Sequence, residues 1–250
     1  MLDTHCHLDQ YPSPLAVARS AERAGITVIA VTHLPSHYEQ GRAHVASFKR
    51  VRLALGLHPL LAPQHASELA AFARLLPTTS YVGEIGLDFS QHGRATKDVQ
   101  IRSFSEVLKL LRGNPRFVTL HSRGAEEATL SLLQEYEING AVFHWFSGSM
   151  PCALRIADTG HYFSLNPAMV RTKKGQALLR ALPREQVLVE TDGPFLQVGS
   201  RPANPSDVAI VYTELASVWA VDREEAVSRV AGNFRNIIST LRRRADKCDG

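Results

Sequence analysis

Cysteine is scarce. Only three occur in 250 residues, Cys6, Cys152 and Cys248. An odd number at scattered positions cannot build the disulfide framework of a small secreted fold, so a cytoplasmic protein in a reducing compartment is expected. No run of 18 apolar residues exists, which excludes a membrane-spanning helix and any membrane partner that would need one. The first residues do not pass from a basic segment into an apolar one, so no secretory leader is expected. Strong charge of either sign is also missing. Lys and Arg number 28 against 24 Asp and Glu, a net +4 that permits a polyanionic partner without requiring one. Internal repeats, low-complexity tracts and linker-like segments are absent, and residues 1–250 read as one domain.

What is present is a recurring run of apolar, β-branched residues. Eight such runs occur: "LDTHCHL", "ITVIAVTH", "RLALGLHP", "YVGEIGLD", "RFVTLHSR", "GAVFHWFS", "HYFSLNP" and "VLVETDGP". They are nearly all apolar rather than strictly alternating, the signature of parallel strands covered on both faces. Helical stretches such as "PLAVARSAERAG" and "KDVQIRSFSEVLKLLRG" lie between most of them. Eight β–α units at about 31 residues each describe an α/β chain folded as a single-domain (β/α)8 TIM barrel. In "LPSHYEQGRAHVASFKR", Gly41 would cost a helix about 1 kcal/mol relative to alanine, which leaves that connection open. "GPFLQVGSRPANPSDV" reads as a loop. Ser206 or Asp207 is expected to cap a helix over about 207–219, and Asp222 a last one over about 223–243. The basic "LRRRADK" falls in that helix's final turn, where cations favour the dipole, and reads as helix chemistry rather than a nucleic-acid patch.

The polar residues are informative by position. In a parallel barrel, active sites sit at the C-terminal ends of the strands. The first run ends at His5 and His7, the third at His58, the fourth at Glu84, the fifth at His121, the sixth at His144 and the eighth at Asp192. Residues two apart in a strand share a face, so His5 and His7 project together, with Cα atoms about 6.6 Å apart, while Cys6 turns away. Taken singly, each has a plainer reading: a loop histidine, a structural ion pair, an Asp-Gly turn. Taken together at one rim they point to a metal centre, because unpaired buried charges would otherwise cost several kcal/mol each. Imidazoles mixed with carboxylates suit Zn²⁺, Mn²⁺ or similar ions, whereas Mg²⁺ favours more oxygen ligands.

In their order, "DTHCHLD", "LGLHP", "GEIGLDF", "HSR", "FHWFSGS" and "VETDGPF" resemble the TatD-like metal-dependent deoxyribonucleases among the amidohydrolase-type barrels. "THLP", "HSRGA", "HWFSG" and "LNPAMVRTKKG" further resemble the TatD-like component of the Qat anti-phage defence system. The resemblance implies two divalent cations (Mg²⁺, Mn²⁺ or Zn²⁺). His5 and His7 would hold one, His121 and His144 the other. Glu84 would bridge them, and Asp192 would bind the first while facing the attacking water. Glu84 and Asp192 are thus the expected catalytic carboxylates. DNA, as single strands or ends, is the implied substrate, and other Qat-system proteins are implied partners. Arg123, His58, Lys173 and Lys174 are candidate substrate contacts, Arg123 for its bidentate guanidinium. Two alternatives stay open: a hydrolase of a small amide, lactone or phosphoester, and a subunit of a defence complex with little catalysis. The loops after strands 2, 7 and 8 ("THLPSHYEQ", Asn166-Pro167, and Arg201 with "ANP") depart from the family pattern and shape the substrate mouth.

Overall fold

Short parallel strands built from Val, Ile, Leu and Phe line a closed ring, with helices packed outside. They are β1 (Leu2–Cys6), β2 (Thr27–Ala30), β3 (Val51–Leu53, resuming as Leu55–Leu57), β4 (Tyr81–Gly86), β5 (Phe117–His121), β6 (Val142–His144), β7 (Tyr162–Leu165) and β8 (Val187–Val189). The structure is a computed structural model that describes residues 1–248, without the side chains at 242 and 244–248. The Cys248 thiol and most of the basic tail therefore lie outside the described residues, while Cys6 and Cys152 are buried free thiols. Ile29, Leu55, Val82, Phe117, Phe143, Phe163 and Leu188 are wholly buried, as strands covered on both faces require. No helix among the described residues is long and apolar enough to cross a membrane.

Pairing runs in two ladders, β1–β2–β3 and β3–β4–β5–β6–β7–β8, all parallel. The break in β3 at Ala54 is bridged by Thr32, whose Oγ1 donates to the Ala54 carbonyl at 2.9 Å and accepts from Gly56 N at 3.1 Å. The ring closes between β1 and β8 through side chains and the residues that follow the strands. Thr4 Oγ1 donates to the Val189 carbonyl at 2.9 Å. The Asp3 carboxylate accepts from Thr191 N at 3.0 Å and Thr191 Oγ1 at 2.6 Å. Beyond them, Asp192 N donates to the His5 carbonyl at 3.0 Å and His7 N to the Gly193 carbonyl at 2.8 Å.

Outside lie α1 (Pro14–Arg23), α2 (Pro35–Val45), α3 (His65–Leu75), α4 (Lys97–Arg112), α5 (Glu126–Glu135), α6 (Met150–Asp158), α7 (Pro167–Val170), α8 (Lys173–Ala181), α9 (Val208–Trp219) and α10 (Arg223–Cys248). The open connection after β2 is thus helical. A Cβ at Gly41 would lie 3.2 Å from Leu53 Cδ2, so the glycine lets α2 settle closely on β3. Asp222 accepts from Glu225 N at 2.7 Å and starts α10 as expected. Ahead of α9 the expectation needs correcting. Asp207 holds the N-cap position of α9 but makes no capping bond to it; the capping side chain is Asn204, at the start of the turn before. Its Oδ1 accepts from Ser206 N at 3.1 Å, while Asp207 reaches back to Asn204 N at 2.8 Å and grips Arg201 with both oxygens at 2.7 Å. Asn204-Pro205 inserts a short 3₁₀ turn (Pro205–Asp207) before the α-helix proper, moving the start upstream.

His161 is buried beside β6, and its Nδ1 accepts from Ala141 N at 3.2 Å. Burial lowers its pKa from the ordinary 6.5 to about 4. Between those values the unfolded chain binds a proton that the native ring refuses, so His161 costs stability as pH falls. From pH 7 to 4 the native protein is expected to lose on the order of 3 kcal/mol more than His161→Asn. Urea unfolding across that range checks this; parallel acid limbs would contradict it.

Candidate metal centre

Every strand-end residue singled out by position arrives at one mouth. Glu84, carried inward by β4 and buried, is the hub. Its Oε1 lies 2.7 Å from His121 Nδ1 and 2.8 Å from His144 Nε2. Its Oε2 lies 3.3 Å from His58 Nε2, 3.4 Å from His7 Nε2 and 3.5 Å from His5 Nε2. Asp192 Oδ1 faces the same imidazoles, 3.4 Å from His7 Nε2 and 3.9 Å from His5 Nε2. The pleat behaves as the i, i+2 argument requires. The His5 and His7 rings lie 5.2 Å apart, and Cys6 Sγ instead meets the Gly193 carbonyl at 3.5 Å.

The donors fit divalent cations. His5 Nε2 and Asp192 Oδ1 are fully buried and have no hydrogen-bond partner, a costly state that a cation between them relieves. Four overlapping groups have ligand atoms within 4.8 Å of one another: His5–His144–Asp192, His5–His7–Glu84, Glu84–His121–His144 and His33–His58–Glu84. Burial, helped by the nearby imidazoles of His144 and His7, lowers His5 to about 4, and burial lowers His7 to about 3, which keeps both neutral and free to ligate. Burial opposes ionisation of Glu84, but the imidazoles of His58, His144 and His121 outweigh it and hold its carboxyl well below the usual range. Burial likewise opposes a charge on His144, yet Glu84 and Glu190 raise it well above an ordinary histidine. The cluster is thus arranged for positive charge next to Glu84.

A second layer sets the rings. Thr119 Oγ1 holds His5 Nδ1 at 2.8 Å. Asp88 Oδ2 holds His121 Nε2 at 2.8 Å, and His121 together with Ser90 keeps the Asp88 carboxyl at about 2 although burial opposes its ionisation. Glu190 Oε1 stands 3.5 Å from His144 Nδ1 and accepts from Trp145 N at 3.0 Å and Asn166 Nδ2 at 3.2 Å, while Ser164 donates to its other oxygen. Sequence reasoning passed over Asp88, Glu190 and His33. The period of two that paired His5 with His7 also pairs Glu190 with Asp192, so that signal was available. Asp88→Asn and Glu190→Gln are each expected to weaken metal binding about 10- to 100-fold without unfolding the protein. Isothermal titration with Mn²⁺ beside a thermal melt measures both effects.

The mouth opens as a cleft of about 660 Å³ whose walls include His58, Arg123, Leu60, Trp145 and Phe195. Arg123 is exposed there and forms no ion pair among the described residues. Neither Lys173 nor Lys174 lines this cleft. Thr172 caps α8 by accepting from Gly175 N at 3.0 Å. That start aims Lys173 into a neighbouring depression with Arg180 and Glu214. Lys174 Nζ donates to the Ser147 carbonyl at 2.5 Å, on the far side of Trp145. Trp145 and Asp192 both take left-handed backbone, φ 36° and 51°, an unfavourable state for a bulky residue that surrounding contacts must hold in place.

A model of the family described as TatD related DNase matches residues 2–239. Deoxyribonuclease TATDN3 of Homo sapiens is 28% identical over 262 residues, covering 97% of this chain and 96% of that protein. The uncharacterized metal-dependent hydrolase YabD of Bacillus subtilis (strain 168) is 26% identical over 252 residues, covering 95% and 98%. The crystal structure of YjjV, a TatD homolog from Escherichia coli K12, superposes with a TM-score of 0.86 at 26% identity, covering 95% and 97% of the two chains.

Proposed function

The chain belongs to the TatD related DNase family and is a metal-dependent hydrolase of phosphodiester bonds, and from that premise we propose that it removes nucleotides from DNA ends with two divalent cations. His5, His7 and Asp192 would hold one, His121 and His144 the other, with Glu84 placed to serve either. The observation that carries this reading is the pair of buried, partnerless ligand atoms, His5 Nε2 and Asp192 Oδ1, facing each other beside Glu84. Such cations, Mg²⁺, Mn²⁺ or Zn²⁺, supply Lewis acidity and lower the pKa of a bound water.

The chain's own residues do the rest. Asp192, which lines the cleft, takes the proton of the attacking water. Arg123 offers a bidentate fork to the non-bridging phosphate oxygens, and His58 lines the same cleft. Leu60, Trp145 and Phe195, among the exposed large apolar residues, keep water from the strand they contact.

Metal content by elemental analysis, together with products from a 3′- or 5′-labelled oligonucleotide, tests the proposal. Two equivalents of metal and stepwise release of mononucleotides are expected. Hydrolysis of a small ester panel with no cleavage of the oligonucleotide would overturn it.

The biological setting belongs to the same reading. The four segments that resemble the Qat component support a cytoplasmic role in anti-phage defence alongside other Qat-system proteins. His5→Ala with His7→Ala is expected to abolish protection of phage-challenged cells, and co-elution with those proteins on size exclusion reports the association.

A further inference from the structure

Beyond the candidate metal cleft lies a second hollow that the chemistry above leaves unused. It measures about 400 Å³ and sits between the segment after β6 and the start of α8. Trp145 and Ser147 line both hollows, so the indole is the partition between them. The slot is walled by Phe146, Met150, Met169 and Leu178, and no carboxylate lines it. Its one cation is Lys174, anchored on the Ser147 carbonyl at 2.5 Å. Trp145 is 38% exposed, follows the ligand-bearing His144 directly, and is held in left-handed backbone by its N–H bond to Glu190. A large aromatic kept exposed in an unfavourable conformation, beside polarisable sulfur and a lysine, suits a flat apolar ring joined to an anionic linker.

We propose that this slot is a nucleobase subsite: the base next to the scissile phosphate stacks on Trp145 and enters it, while Lys174 meets the phosphate between the two nucleotides. The proposal rests on the nuclease reading, and on the continuity of the slot with the cleft where that reading puts the bond broken. It makes binding strength depend on the neighbouring nucleotide, with little preference among bases because every base offers a π face.

The experiment compares decathymidylate with bis(p-nitrophenyl) phosphate on the Mn²⁺-loaded protein. Trp145→Ala, and Ala177→Trp, which fills the slot from an exposed lining position, are each expected to lower the ratio of the two kcat/KM values about tenfold or more. Trp145→Phe should restore most of it. A ratio within twofold of native in Ala177→Trp overturns the subsite while leaving the nuclease reading intact. A native protein that cleaves neither compound overturns the nuclease reading and the subsite with it. Emission gives a readout independent of turnover. Trp219, the other tryptophan, is buried, so quenching by decathymidylate in EDTA reports Trp145. Unchanged emission at a concentration shown by anisotropy to saturate the protein also overturns the stacking.

Discussion

Glu84→Gln is expected to lower oligonucleotide hydrolysis by about a thousandfold or more and to strip the protein of most of its metal. Glu84 faces both halves of the centre. One oxygen faces His121 and His144, and the other faces His5, His7 and His58. The amide keeps the volume and removes the charge. His144, which Glu84 helps to keep protonated without metal, is left with Glu190 alone. Loss of one partner from a buried ionic cluster typically costs about 3–5 kcal/mol, so the metal-free variant should also melt earlier. Elemental analysis after dialysis, an oligonucleotide assay and a melt read the three effects. Retention of full metal content with full activity would contradict the role given to Glu84.

Asp192→Asn should separate what Glu84→Gln removes together. Asparagine tolerates left-handed backbone at least as well as aspartate, so the turn at φ 51° and its bond from Asp192 N to the His5 carbonyl should persist. The amide oxygen still ligates, so much of the metal should stay. What goes is the proton acceptor. Loss of a positioned general base costs about 10²- to 10⁴-fold, and the rate should fall by that amount with the fold unchanged. Metal content and turnover measured on one preparation decide it, and a fully active variant would reject Asp192 as the base.

Much of this arrangement was legible from residue order because two simple periodicities act locally. Apolar runs of strand length marked the staves, and the polar residue ending each run marked the rim. That logic placed Glu84, His121, His144 and Asp192 correctly at one mouth although they come from four different strands. It failed where the controlling contact lies across the fold. Asp88 and Glu190 matter through the rings they hold. His33 becomes notable only once His58 stands beside it, their rings 5.0 Å apart. Gly41 looked like a helix breaker until Leu53 explained it. Lys173 lies in a depression beside the cleft, a placement set by the Thr172 cap that starts α8.

The join between β1 and β8 bears on when the enzyme becomes active. His5 and His7 stand on one side of that join and Asp192 on the other, and the backbone bonds that fix them cross it in both directions. During synthesis the opening strand has no neighbour on that flank until residues near 190 have left the ribosome. A nascent or prematurely terminated chain therefore lacks both its last stave and Asp192, the base proposed above, and is expected to leave the nucleic acid around it intact. The ring that shapes catalysis also defers it until the strand near residue 190 can join the first.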